Sequence, residues 1–117
     1  MSVERMAELR HQLAEQQADL RDAQDEYAAA IVRAHQVLID EHGGDFKAIG
    51  SSEDARKQAF AVAALSDHVV GRALLELRGF ERGVALVAAE LEALRDARKE
   101  RELLLAERQL NAELGVA

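Results

Sequence analysis

The sequence predicts an all-α protein: an antiparallel coiled-coil helical hairpin, two long helices and one short connecting helix, elongated rather than globular. Three observations predict it. The chain of 117 residues has no proline, where average usage would supply roughly 5%. Aromatic residues (Tyr27, Phe46, Phe60 and Phe80) amount to 3%, which leaves few large groups to fill a compact core. Charged residues reach 32%, and Ala, Leu, Glu and Arg dominate. These residues lose least on entering a helix, and their mixture suits long helices with narrow apolar seams. The length predicts one helical domain, 1–117.

The first helix is predicted over residues 2–41. Stepping by three and four gives Met6, Leu9, Leu13, Gln16, Leu20, Ala23, Tyr27, Ala30, Ala34 and Val37, a coiled-coil seam with one polar member. Ala28, Ala29, Ile31, Val32, Leu38 and Ile39 widen the apolar face near the C-terminus, as expected of a helix that touches more than one neighbour. Gly43 and Gly44 stand where a left-handed cap is wanted. A loop is predicted over 42–51, with Phe46 and Ile49 plugging the end of the stack and Gly50 allowing the turn. Ser51 or Ser52 caps a short helix over 52–65, and Glu53 and Asp54 favour its positive end. Ser66 and Asp67 predict a break. The last helix is predicted over 67–113, with the ladder Val70, Ala73, Leu77, Phe80, Val84, Val87, Leu91 and Leu94. Arg98 and Arg101 then interrupt the ladder, and apolar residues resume off-register from Leu103.

The net charge of −7 is uneven. Residues 1–45 carry four bases against ten acids. Bulk charge therefore speaks against a generic nucleic-acid binder, and an anionic partner would need a local patch. Without cysteine, disulfides, thiolate catalysis and cysteine-ligated zinc are excluded. The charged N-terminus is no secretory signal and no apolar run reaches bilayer length. A cytoplasmic protein without membrane contact is expected. His11, His35, His42 and His68 form no His-x-x-x-His pair, and Ser51, Ser52 and Ser66 are explained as helix caps. We therefore expect no enzyme activity, metal, cofactor or small-molecule substrate.

Four features point to partners. Gly71, Gly79 and Gly83, at multiples of four, suggest close approach by another helix, most simply the alanine-rich part of the first. Arg98 and Arg101, within a cluster that includes Arg95, Lys99 and Arg108, could meet phosphates. The interleaved Asp96, Glu100, Glu102 and Glu107 favour a solvated coiled-coil face instead. Lys47, Arg56 and Lys57 are a second candidate anion site, beside a helix N-terminus, and ordinary surface bases are again the weightier reading. Leu103, Leu104, Leu105, Leu110 and Leu114 lie beyond the reach of the first helix, which predicts a homo-oligomer that buries them.

The segment from Ala48 to Asp96 resembles small helical proteins of the recombination and replication modules of bacteriophages and related mobile elements. The resemblance rests on Gly50, Ser51, Arg56, Lys57, Asp67 and the Leu94-Arg95-Asp96 run. In place of the Asp-Pro and tyrosine common after the second break in those proteins, this chain has Asp67, His68 and Val69. The resemblance implies an oligomeric mediator that helps a recombinase or annealing protein handle single-stranded DNA, with Lys47, Arg56 and Lys57 facing the DNA. The alternative is a phage-type interaction factor, an assembly chaperone or an inhibitor of a host protein, with no nucleic-acid role. Its binding surface would be the acidic first helix.

Overall fold

Four helices, in the order α1 (Ser2–Glu41), α2 (Phe46–Ile49), α3 (Glu53–Ser66) and α4 (His68–Glu113), make up the chain in a computed structural model that describes residues 2–115. Among the described residues there is no strand. α1 and α4 lie side by side, and α3 packs where they are joined. The molecule measures 86 × 27 × 15 Å, with a radius of gyration of 25.6 Å. A compact domain of this length would have a radius of about 13 Å. The predicted elongated helical hairpin is the observed fold.

The seam is the whole of the core. Met6, Leu9, Val87 and Leu91 form one buried cluster, extended by the partly buried Leu13 and Leu94. Ala30, Ala34, Val70 and Ala73 form another, with Tyr27 and Ile31 packed against it. All eight ladder positions of α4 face inward, either buried or half-buried. On α1 the ladder holds through Ala34 and then departs. Val37 is 53% exposed, and Leu38 turns inward in its place. A 3.5-residue repeat drifts around a helix that has 3.6 residues per turn. The step of four from Ala34 to Leu38 restores the register without tightening the supercoil.

The closed end is built from local hydrogen bonds. Gly43 and Gly44 take positive φ angles of 64° and 79°, and the Gly44 amide donates to the Ile39 carbonyl at 2.9 Å, capping the end of α1. Asp45 accepts from the Lys47 amide and starts the single turn α2 inside the predicted loop. That turn leaves Phe46 51% exposed, so Phe46 does not plug the stack. Ile49 is half-buried, and the aromatic contact joining α3 to α1 is made by Phe60. Its ring centroid lies 4.8 Å from that of His35.

Gly50 is needed for space rather than for its backbone angle. Its φ of −167° is ordinary extended backbone, but a Cβ there would lie 2.8 Å from the Arg56 nitrogen. Ser52 caps α3 by accepting from the Ala55 amide at 3.1 Å. Asp67 ends α3 and begins α4. Its amide donates to the Ala64 carbonyl, and its Oδ1 accepts from the amides of Val69 and Val70 at 2.8 and 3.1 Å. One residue thus satisfies groups at both helix ends, and the predicted break is present.

Gly50→Ala should destabilise the protein by about 1–3 kcal/mol, the usual range for forcing atoms into a filled space. Thermal unfolding followed by circular dichroism checks this, and an unchanged midpoint would show that the α3 start relaxes freely.

Candidate interaction surfaces

At the closed end, the three candidate anion-binding bases are not equivalent. Arg56 is half-buried, and its Nη1 donates to the Gly50 carbonyl at 3.1 Å. It ties the loop to α3 from the inside. Lys57 is solvent-facing, with Nζ 3.8 Å from Glu53 Oε1. Lys47 sits on the short α2 and is exposed. Glu53 and Asp54 occupy the first turn of α3, so the positive helix end already faces carboxylates.

At the open end, Arg98 Nε donates to Glu102 Oε1 at 3.2 Å, an i,i+4 pair between exposed side chains. Arg101 is exposed one turn away. Acids and bases alternate here on solvated helix, in keeping with the solvated face weighed from the sequence. A nearby inter-helix pair carried no sequence signal. Arg5 donates through Nε and Nη2 to Glu90 Oε1, at 3.2 and 2.9 Å, and Glu8 lies 3.2 Å from its Nη1. These bonds, that to Glu90 first, raise the Arg5 pKa above its ordinary value and join the α1 start to α4.

The outward face of α1 carries Glu4, Glu8, Glu15, Asp19, Asp22 and Glu26, all exposed and spaced so that 3.6 residues per turn places them in one stripe. His11 pairs with Glu15 in its one long gap.

The glycine ridge is not an intramolecular packing surface. A Cβ at Gly71 or Gly79 would have nothing within 4 Å. Only Gly83 has a neighbour, Gln16, whose Oε1 lies 3.0 Å from the Cβ position. A row of residues four apart climbs obliquely around a helix. By Gly83 it reaches the seam, while Gly71 and Gly79 remain outside. Gln16 Oε1, on the one polar member of the α1 seam, is buried with no hydrogen-bond partner. The Gln16–Gly83 contact is readable only when both helices are in hand.

The leucines near the α4 end are all open, Leu103 at 70%, Leu104 at 57%, Leu105 at 58%, Leu110 at 54% and Leu114 at 68%. Three consecutive leucines necessarily point around a helix. With 3.6 residues per turn, Leu103, Leu110 and Leu114 share one side, about 100–140° around the helix from Leu91, while Leu105 continues the seam direction. Open grooves flank the rod, two of them near its ends. One of about 740 Å³ lies at the open end between Met6 and Leu13 of α1 and Ala88 and Leu91 of α4. The other, about 650 Å³, lies at the closed end among Val37, Leu38, Ile49 and Val62. Among the described residues no group of three or more His, Asp or Glu is placed to hold a metal ion, and no helix is long and apolar enough to cross a membrane.

Gly79→Ala should raise stability by up to about 1 kcal/mol, the difference in helix propensity, because the added methyl meets open space. Gly83→Leu should lower it by about 1–3 kcal/mol by displacing Gln16. Denaturant unfolding of both variants measures the contrast, and equal effects would show that Gln16 swings away at no cost.

Compared with protein-family models, with curated proteins and with solved structures, the chain matches none. The functional reading therefore rests on its surfaces.

Proposed function

We propose that this chain is a non-enzymatic interaction factor, a helical rod that binds protein partners along helix faces. The observation that carries this reading is the projecting end of α4. From Asp96 to Glu113 every residue is exposed, yet the segment carries Leu103, Leu104, Leu105 and Leu110, two of them (Leu103 and Leu110) on one side, which a helix gains nothing by displaying to water. The stripe of carboxylates on α1 supports the same reading, since it repels a phosphate backbone. So does the use of Arg56 as a loop tie.

A second reading is a mediator that assists a recombinase or annealing protein on single-stranded DNA. Its support is the exposure of Lys47 and Lys57 at the closed end. If several copies assemble, two bases from each would add by multivalency.

Fluorescence anisotropy of a labelled single-stranded oligonucleotide separates the two. The interaction reading expects no saturable binding at low salt. Binding that weakens steeply with added salt, and is lost in Lys47→Glu/Lys57→Glu with helicity intact, would replace it with the mediator reading.

A further inference from the structure

We infer that the projecting end of α4 is completed by a second copy of this chain, in an antiparallel two-fold dimer whose α4 helices cross near Lys99. The inference rests on the reading of that end as a binding surface and names its occupant.

The geometry begins with length. The 18 residues from Asp96 to Glu113 extend roughly 27 Å at 1.5 Å per residue, and every one of them is exposed. Beside their base lies the groove lined by Met6, Leu13, Ala88 and Leu91. On α4, helical periodicity puts Ala88, Arg95 and Lys99 on the side that Leu103, Ala106 and Leu110 continue. Leucine stripe and groove are thus consecutive stretches of one surface, running in opposite directions from Lys99. A two-fold axis at that point lays each stripe into the other copy's groove. Leu110 comes opposite Ala88, and Leu103 lies on the aliphatic stem of Arg95. Such an interface is isologous and closes at two copies.

Area and charge agree with this occupant. Two helix strips about 27 Å long and 10–12 Å wide, counted on both copies, cover about 1,100–1,300 Å², at the lower edge of what specific stable interfaces bury. The groove walls carry Arg10, Arg95, Arg98 and Lys99 against Glu92, Asp96 and Glu102. The outer half of the projecting end carries Glu107 and Glu113 against Arg108. The two surfaces that meet differ in the sign of their excess charge.

The absence of native cysteine permits a direct test. Lys99→Cys places one thiol from each copy at the axis and should yield a disulfide-linked dimer under mild oxidation. Leu86→Cys, on another part of α4 and 66% exposed, should not. Light scattering should give the mass of two chains for the parent and of one chain for Leu103→Lys/Leu110→Lys. Those two leucines are exposed within the single chain, so the hairpin should stay folded, with any loss of helicity by circular dichroism limited to the projecting end. A monomeric parent at tens of micromolar overturns the inference. So does a mass that keeps growing with concentration, as head-to-tail seating of the stripe in the closed-end groove would give. A dimer in which Lys99→Cys fails to cross-link overturns it as well. None of these measurements involves nucleic acid or another protein, so the dimer can fail while the interaction reading stands.

Discussion

Two helices packed side by side bury only the stripe each turns toward the other, and everything else in this molecule follows from how little that is. Among the described residues ten apolar ones are buried, and four of them, Ala23, Ala30, Ala34 and Ala73, are alanine. Small side chains dominate the cluster toward the closed end, and larger ones, Met6, Leu9, Val87 and Leu91, the cluster toward the open end. Neither cluster resembles a domain interior, where a residue is surrounded on all sides. Caps and turns close the hairpin at one end, and the exposed Arg5–Glu90 pair links the two helices near the other.

This constraint explains which parts of the fold were legible in the sequence. A seam is a statement about periodicity, and the α4 ladder from Val70 to Leu94 could be read residue by residue. Gly43, Gly44, Ser52 and Asp67 were readable for another reason, since each answers a local backbone requirement with its own chemistry. What could not be read depended on a second element. Val37 faces outward because α1 keeps its own period. Phe46 is exposed because a four-residue turn formed where a loop was expected. Gly50 was read as a turn residue, and its constraint is the α3 backbone pressed against it.

The candidate sites divide in the same way. The alternating acids and bases near Arg98 indicated a solvated face, and the Arg98–Glu102 pair is there. Arg56 looked like one of three surface bases, but a long side chain can fold back, and its bond to the Gly50 carbonyl makes it part of the scaffold. The glycines were visible as a ridge, but not which of them meets α1. Leu103, Leu104, Leu105, Leu110 and Leu114 were placed beyond the first helix by the predicted helix lengths, and all five are exposed; the groove beside them needed both helices in place.

The projecting segment of α4 has a thermodynamic consequence of its own. A helix of 18 residues that are all exposed is only marginally stable in water, because nucleation is costly and each further turn gains little. Here the buried part of α4 supplies the nucleus, so the end frays from its tip rather than melting as a block. Amide hydrogens should then exchange along a gradient, slowest beside Leu91 and fastest toward Glu113. Whatever covers this end also orders it, and part of the contact energy goes into fixing the backbone. Association should therefore carry a larger negative heat-capacity change, and a smaller affinity, than the same leucines would give on a rigid helix.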